Sequence, residues 1–249
     1  MSLSNDRWIT LVYAKVAEVL ADTSLVVPTS EFSSIAAPTD PTFALAIDHT
    51  LLKPDATAVQ IDLLCDQAIR YKFKSCCVNG ANVQHVSRRL QASGVLTCAV
   101  IGFPLGAGTS AAKAFEAKDA VQNGAHEIDM LVFSDIQAVV SAAGTPVKVI
   151  LETVFLTDEE KIAASFIAAE AGAAFVKTCT GFSGGGATAA DVLLMRKSVA
   201  YKPYVKVKAS AGIRSFEKCV EMFVSEAERI GTSSGTAIME SAEAVAGSY

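Results

Sequence analysis

The chain has 249 residues, of which 51% are hydrophobic, which is enough to bury a large core. Its length suits either two small domains or one barrel of about 250 residues. The net charge is −5 and the basic residues are scattered, which disfavours nucleic acid or an anionic membrane as a partner. No apolar run approaches the roughly 20 residues of a membrane span, and polar residues at 5–7 interrupt any signal-peptide pattern.

The cysteines indicate the compartment. They form no CxxC pair and have no histidine at zinc-site spacing, which argues against a zinc site and a redox motif. Several lie in apolar runs, where cysteine behaves mainly as a small hydrophobe. We therefore expect a reduced, soluble, cytoplasmic protein without a metal. The six are Cys65, Cys76, Cys77, Cys98, Cys179 and Cys219.

Residues 1–43 lie outside the repeating pattern of the rest of the chain. The segment DRWITLVYAKVAEVL has the periodicity of one amphipathic helix, and a connection rich in Pro, Ser and Thr follows it through Pro41. We interpret this N-terminal helical extension as a cap across one end of the next domain or as an oligomer contact. The sequence favours neither.

Residues 44–249 alternate between short apolar runs and longer segments with helical periodicity. Such alternation predicts parallel βαβ units covered on both faces. Eight units are present, the number that closes a (β/α)8 TIM barrel. A doubly wound open sheet is the alternative, but no GxGxxG follows the first strand. The apolar runs are ALAIDHTLL, SCCVNG, LTCAVIGFP, HEIDMLV, PVKVILET, AAFVKTCTG, YVKVKASAG and RIGTSSG.

Helix signals agree with this division, since Thr157, Thr188 and Ser215 each stand where a helix N-cap is expected and Gly172 follows a helix end. One connection is anomalous. Only Phe133 separates HEIDMLV from the helical segment SDIQAVVSAAG, whereas βα loops usually run about 2–6 residues. Either this connection is tight, or the natural protein has a loop that is absent from this chain.

Several predicted strands carry charged residues. The interior of an eight-stranded barrel is just wide enough to be filled by side chains, so an inward charge requires a partner or a chemical role. Because residues i and i+2 share a face of a strand, we group the inward candidates by pairs. A structural ion-pair network is the alternative to chemistry, and it is favoured for Lys148 and Lys206. The groups are Asp129 with Glu127, Lys148 with Glu152, Lys177 with Phe175 and Cys179, and Lys208 with Lys206.

Lys177 and Lys208 lie toward the carboxyl ends of adjacent strands, where active sites of this fold are found. Strands about 4.8 Å apart bring two inward ammonium groups to roughly 6 Å. At an effective dielectric of about 20 they repel by about 3 kcal/mol, which together with burial lowers one pKa from about 10.4 to about 8. An amine activated in this way attacks carbonyl groups to form a Schiff base. We interpret Lys177 as that nucleophile.

The other candidates are weaker. Asp129 is placed to relay protons, with a salt bridge to Lys148 as the alternative role. Glycine- and serine-rich segments follow the last three strands and predict an anion site, with ordinary turns as the alternative. Cys77 either lines the site or is a buried inert thiol, and no set of ligands indicates a metal. The anion-site candidates are Gly184–Gly186, Gly212, Ser233, Ser234 and Gly235; His85 and His126 are expected at the surface, and His49 at the barrel mouth without a triad partner.

Taken together the motifs resemble those of deoxyribose-phosphate aldolases, in order and spacing, over residues 44–240. The motifs are IDHTLLKPDAT, VIGFPLGAGTSAAKAFEAKDA, NGAHEIDML, VKVILET, FVKTCTGFSGGGAT, VKASAGIR and RIGTSSG. The resemblance implies a metal-free class I aldolase without a cofactor. Such an enzyme reversibly cleaves 2-deoxy-D-ribose 5-phosphate to D-glyceraldehyde 3-phosphate and acetaldehyde, and members of the family commonly form homodimers.

The resemblance also implies residue roles. Lys177 falls on the Schiff-base lysine, Lys208 on the lysine that perturbs it, and Asp129 on the carboxylate of the proton relay. The remaining positions are implied in substrate binding: Asp48, which could hydrogen-bond Lys208, and Thr50, Cys77, Lys148, Thr180, Gly181, Gly212, Ser233 and Ser234, the last two in the phosphate loop.

This chain departs from the family in two places. Ala211 stands where the family usually has a second glycine, which puts the phosphate loop in doubt, and the stretch after Asp129 is shorter than usual. Two alternatives therefore stay open. One is an inactive barrel that acts as a binding scaffold, and the other is a Schiff-base aldolase for another phosphorylated sugar.

Overall fold

The computed structural model describes residues 4–24, 29–131 and 136–240. Eight parallel strands form a closed barrel in chain order, with β8 hydrogen-bonded to β1. The predicted TIM barrel is thereby confirmed. The strands are β1 Ile47–Leu51, β2 Ser75–Asn79, β3 Leu96–Ile101, β4 Glu127–Leu131, β5 Val147–Ile150, β6 Phe175–Lys177, β7 Lys206–Ser210 and β8 Arg229–Thr232.

A ring of helices surrounds this barrel. Within the described ranges, no helix combines the length and the apolar character needed to cross a bilayer. The expected short connection at Phe133 falls between β4 and the next helix, on residues 132–135, which lie outside the described residues. The helices are α1 Asn5–Ala21, α2 Ala58–Tyr71, α3 Val83–Arg89, α4 Ser110–Gln122, α5 Ile136–Ala143, α6 Asp158–Glu170, α7 Ala189–Val199, α8 Phe216–Val224 and α9 Gly235–Met239.

The helices begin where their caps predict. Thr157 and Glu160 form a reciprocal capping box at the start of α6, which satisfies two free backbone N–H groups. The hydroxyls of Thr188 and Ser215 accept the N3 backbone N–H at the starts of α7 and α8. Local sequence therefore fixes the points at which the chain leaves the barrel mouth and turns back along its outside.

The outer and inner faces of the strands border two different kinds of buried environment. Outward-facing residues such as Ile128, Val176 and Val207 are fully buried in the main hydrophobic core beneath the helices. Inside the barrel, a separate small apolar group comprises Leu52, Cys77, Cys98 and Val100. The inner layer also holds the charged side chains described below.

The N-terminal extension lies along the side of the barrel. Helix α1 packs on α6 and α7, with the Trp8 ring 6.4 Å from the Phe166 ring and the Lys15 ammonium 4.5 Å from the Tyr201 ring centroid. Helix α1 therefore packs one face against helices of the outer layer, and the two roles expected for residues 1–43, a cap across the barrel end or an oligomer contact, stay predictions.

A buried carboxylate fixes the segment that follows α1. Glu226 is 4% exposed and lies in the turn between α8 and β8, where its carboxylate accepts hydrogen bonds from Thr29 and from the backbone N–H of Ser30. Since the bonds join residues about 200 positions apart, they attach the extension to the barrel.

We predict that Glu226→Gln loosens this attachment. Losing charge-assisted hydrogen bonds costs about 1–2 kcal/mol, which lowers the midpoint of thermal unfolding by about 2–8 °C in a chain of this size. Circular dichroism during heating measures the shift. The matched control is Glu228→Gln two positions on, which removes only a partly exposed ion pair to Lys206 and costs at most about 1 kcal/mol. Equal shifts in both variants would contradict the anchoring role.

Candidate active site

Seven buried charged side chains from six strands meet inside the barrel, and we call them the charged cluster. Three are carboxylates and four are cations, so the fully ionised cluster carries one excess positive charge. Buried ions of one sign are tolerated only when opposite charges and hydrogen bonds offset their desolvation. The members are Asp48 on β1, Glu127 and Asp129 on β4, Lys148 on β5, Lys177 on β6, Lys208 on β7 and Arg229 on β8.

Asp129 lies at the centre of the charged cluster. Its Oδ2 accepts hydrogen bonds from Lys177 Nζ at 2.6 Å and Lys208 Nζ at 2.7 Å. Its Oδ1 accepts from Lys148 Nζ at 3.0 Å and from Cys98 Sγ at 3.2 Å. Burial by itself raises the pKa of this carboxyl, but the three ammonium groups outweigh burial and hold the pKa well below its usual range. Asp129 is therefore an ionised base within the barrel.

Lys177 and Lys208 are as close together as alternation predicts. Because both nitrogens bind the same oxygen, they lie at most 5.3 Å apart, the sum of contacts of 2.6 and 2.7 Å. The sequence estimate of mutual repulsion left out the carboxylate between them. Burial lowers the pKa of Lys208, but Asp129 and Asp48 more than compensate and raise it above its ordinary value. Lys208 is therefore held as an ammonium group.

Arg229 forms a layer beneath the lysines. Its Nη1 lies 2.7 Å from Asp48 Oδ1, and its two Nη atoms contact the carboxylate of Glu127 at 3.0 and 3.3 Å. The hydroxyl of Ser75 donates to the same Asp48 oxygen at 2.6 Å. These donors orient Asp48 so that Oδ2 accepts from Lys208 at 2.5 Å, the contact implied for Asp48.

Arg229 was missed in the sequence, although a signal was present. It begins the run RIGTSSG, whose later glycine and serines predict the anion site. Two-residue alternation from Gly231 places Arg229 on the inner face. The aromatic ring of Phe175 lies 5.3 Å from its guanidinium and supports it from the adjacent side of the barrel.

Two residues predicted to face inward do not, because their strands end first. Strand β5 ends at Ile150, and Glu152 adopts a left-handed conformation with φ 58°. Its carboxylate accepts from the backbone N–H and the hydroxyl of Thr180, at 3.1 and 2.5 Å, and so holds the loop after β6. Cys179 likewise lies beyond β6, with Sγ 3.3 Å from the hydroxyl of Thr153.

Lys206 and His49 also lie away from the charged cluster. Lys206 begins β7 at the opposite end of the barrel, where its partly exposed ammonium binds Glu228 at 2.5 Å. His49 points outward from β1, with Nε2 2.8 Å from Gln67 and its ring against Phe73. Neither can contribute to chemistry at the mouth. His85 pairs with a carboxylate at the surface and His126 accepts from a strand N–H, in line with the surface positions expected for them.

Three loops surround the mouth at the carboxyl ends of β6, β7 and β8. A Cβ atom on Gly186 would lie 2.7 Å from the carbonyl oxygen of Ala211, so only glycine permits the first two loops to approach this closely. Ala187 donates its N–H to the same carbonyl at 3.0 Å. Ala211 itself has φ 76°, which costs an alanine about 1–2 kcal/mol. The loops nevertheless stay in contact.

The third loop is joined to the second by Thr232. Its hydroxyl donates to the carbonyl of Ile213 at 2.7 Å and accepts from the N–H of Ser234 at 2.9 Å. Ser234 is buried and Ser233 is partly exposed. The structure thus brings the candidate residues Gly186, Gly212, Ser233 and Ser234 to one rim.

The remaining candidates lie on the inner face or the rim. Thr50 donates its hydroxyl to the backbone of Asp48 at 2.9 Å. The sulfurs of Cys77 and Cys98 and a carboxylate oxygen of Asp129 lie within 4.8 Å of one another. In the described residues this is the only set of metal-ligating groups found at such spacing, but three ammonium groups already bind Asp129 and disfavour a cation.

A (β/α)8 barrel that collects two lysines and an ionised aspartate at the carboxyl ends of its strands has the architecture of a class I aldolase. The comparison with known families agrees. The chain belongs to the DeoC/LacD family of aldolases, whose model matches residues 42–241. It is therefore a lyase.

Relatives match most of the chain. A deoxyribose-phosphate aldolase of Lysinibacillus sphaericus is 55% identical over 212 residues, covering 79% of this chain and 94% of the relative. One of Staphylococcus carnosus is 54% identical over 81% of this chain and 97% of its own. A crystal structure of a putative deoxyribose-phosphate aldolase from Coccidioides immitis has a TM-score of 0.87 at 39% identity and covers 96% of this chain and 98% of its own.

These coverages bear on the N-terminal extension and on the length of the barrel. The Coccidioides structure leaves only 4% of this chain unmatched, so it shares most of the N-terminal extension. The Lysinibacillus alignment takes in 79% of 249 residues, which is about 197, yet spans 212. That relative therefore has about 15 residues without a counterpart here, while the expectation that the stretch after Asp129 is shorter than usual stays a prediction.

We predict that the ionised Asp48 stabilises the fold in a pH-dependent way. Burial raises its pKa, but Arg229, Lys208 and Lys148 lower it far below the ordinary value. Asp48→Asn removes one of the carboxylates that offset these buried cations and lowers the free energy of unfolding by about 3–5 kcal/mol at pH 7. Because the folded pKa lies below the unfolded value of about 3.9, this stabilisation is complete above that pH and is lost as the pH falls further.

Urea unfolding between pH 7 and pH 3 measures this difference. The gap between wild type and Asp48→Asn should narrow once the pH drops below about 4. The exposed Asp119→Asn is the control and should change the free energy by no more than about 0.5 kcal/mol at any pH. A gap that stays constant down to pH 3, or that widens, would show that folding does not lower the pKa of Asp48.

Proposed function

We propose that the protein is a class I deoxyribose-phosphate aldolase. It reversibly cleaves 2-deoxy-D-ribose 5-phosphate to D-glyceraldehyde 3-phosphate and acetaldehyde. The observation that carries the proposal is the shared carboxylate oxygen of Asp129, which lies within hydrogen-bonding distance of both Lys177 and Lys208. The names of the relatives support the choice of substrate.

Lys177 is the nucleophile in this proposal because its proton is held by the fewest carboxylates. Among the described residues its ammonium pairs with one carboxylate, that of Asp129, whereas Lys208 pairs with two and Lys148 with three. The charged cluster carries one excess positive charge, so removal of one proton leaves it neutral. Lys177 is also the last residue of β6 and retains slight exposure at the mouth, while Lys148 and Lys208 have none.

The reaction begins with attack of the Lys177 amine on C1 of the open-chain sugar phosphate. Loss of water from the carbinolamine gives a protonated imine. Asp129, acting through a water molecule, removes the proton of the C3 hydroxyl, and the electrons of the C2–C3 bond move into the imine. Glyceraldehyde 3-phosphate leaves, the enamine takes a proton at C2, and hydrolysis releases acetaldehyde and restores the lysine.

Lys208 supports these steps as a fixed cation. Its ammonium bridges Asp48 and Asp129 and lies beside the reacting carbons, where it stabilises the oxyanion that develops at C3. From below, Arg229 and Glu127 position Asp48, which in turn holds Lys208.

The phosphate group is assigned to the rim formed by Gly186, Gly212, Ser233 and Ser234. Backbone N–H groups at tight glycine turns are suited to bind an anion. We assign the path between the rim and Lys177 to the remaining candidates, Thr50, Cys77, Thr180 and Gly181. The left-handed Ala211 is compatible with this rim because its loop keeps the close contact with Gly186.

We also propose that the protein works in the cytoplasm as a homodimer. The six cysteines are free thiols and all are buried, which suits a reducing compartment. Assembly varies among relatives, since the aldolase of Aeropyrum pernix, 32% identical with a TM-score of 0.78, is described as a tetramer.

We predict that sodium borohydride traps a covalent adduct on Lys177 in the presence of deoxyribose 5-phosphate. Peptide mass spectrometry identifies the modified residue. Lys177→Met should abolish the adduct and lower kcat/KM by at least about 10^4-fold, as expected for loss of a covalent nucleophile. Lys206→Met, on the far end of β7, is the matched control and should keep both adduct and activity.

Two results would contradict this function. Folded wild-type protein without any adduct points instead to a binding scaffold. An adduct that forms with another phosphorylated sugar but not with deoxyribose 5-phosphate would support the Schiff-base chemistry. It would exclude deoxyribose 5-phosphate as the substrate.

A further inference from the structure

Ser210, the last residue of β7, has a buried hydroxyl with no hydrogen-bond partner among the described residues. The residue is 4% exposed. Buried hydroxyl groups in folded proteins are nearly always hydrogen-bonded. A lone one beside a reaction centre indicates that its partner arrives from outside, as part of a ligand.

The Ser210 hydroxyl points into the barrel. Ser210 shares the inner face of β7 with Lys208 and pairs in register with Gly231 on β8. A Cβ atom on Gly231 would lie 2.2 Å from Ser210 Oγ and 3.0 Å from Lys208 Cε. The missing side chain of Gly231 therefore leaves room that the Ser210 hydroxyl occupies, next to the Lys208 side chain on the inner face of the barrel.

This position lies midway along the path of the proposed substrate. Ser210 and Gly231 are one inward position above Lys208 and Arg229, which at about 3.3 Å per residue is about 7 Å nearer the mouth. The phosphate rim, with Gly212 and Ser233, is two residues further along each chain. A sugar phosphate joined to Lys177 through C1 and held at the rim by its phosphate must pass Ser210 with its central carbons.

We propose that Ser210 Oγ hydrogen-bonds the C4 hydroxyl of the sugar phosphate and makes the enzyme select acceptor aldehydes with a hydroxyl beside the carbonyl. This rests on the proposed function. The C3 oxygen is engaged by Lys208 and Asp129, which leaves the C4 hydroxyl as the polar group at the level of Ser210. In the synthetic direction it is the 2-hydroxyl of glyceraldehyde 3-phosphate.

Two acceptors that differ by this one hydroxyl test the proposal. Each is condensed with acetaldehyde, and kcat/KM is measured for D-glyceraldehyde 3-phosphate and for 3-oxopropyl phosphate. Ser210→Ala should lower kcat/KM for glyceraldehyde 3-phosphate by about 3- to 10-fold, the effect of one hydrogen bond between neutral groups. It should change the value for 3-oxopropyl phosphate by less than about 2-fold, since that acceptor never makes the bond.

The matched control is Ser165→Ala, which removes another buried hydroxyl without a described partner, on α6 outside the barrel. It should leave the ratio of the two acceptors unchanged. Borohydride trapping of Ser210→Ala with acetaldehyde alone verifies that the lysine remains reactive. An equal loss for both acceptors, or no loss for either, would overturn the role of Ser210 while the proposed function stands. Absence of product from wild type with both acceptors would overturn the proposed function itself.

Discussion

One ionised carboxylate inside a closed barrel organises the site. Asp129 accepts hydrogen bonds from three ammonium groups on three successive strands, β5, β6 and β7. Each of those strands must point its lysine inward at a matching height, and the parallel register Lys148–Phe175 and Lys177–Lys208 provides this. The position of the nucleophile, the charge on Lys208 and the orientation of Asp48 all depend on the negative charge of Asp129.

Stability alone does not explain such a cluster. Apolar side chains of similar volume often replace buried ion pairs with no loss of stability, whereas an ion pair that loses one partner is strongly destabilising. The cluster also has more cations than carboxylates, so it is not a neutral set of salt bridges. An interior with one surplus proton is suited to chemistry in which an amine must lose that proton and later regain it.

The sequence predicted the fold and the central residues because both follow from short-range periodicity. Alternation of apolar runs and helices specifies the barrel, and two-residue alternation places Lys177, Lys208 and Asp129 on inner faces. It failed for Glu152 and Cys179, because strand ends are not marked in the sequence and the backbone turns beyond Ile150 and Lys177.

Contacts across the barrel could not be predicted. Which carboxylate lies between two lysines depends on the closure and register of all eight strands, so the estimate of lysine repulsion omitted Asp129. Two-residue alternation places Arg229 on the inner face, but the glycine- and serine-rich loop after it carried the stronger functional signal. The side-on packing of α1 depends on aromatic contacts such as Trp8–Phe166, which no local pattern specifies.

Neutron diffraction from deuterated crystals at neutral pH tests the central claim most directly, since it locates the protons of the charged cluster. We expect no deuteron on either oxygen of Asp129, and three deuterons on the nitrogens of Lys148 and Lys208. A deuteron on Asp129, with a neutral amine at Lys208, would contradict the account, because the carboxylate could then neither hold the lysines nor accept the substrate's proton.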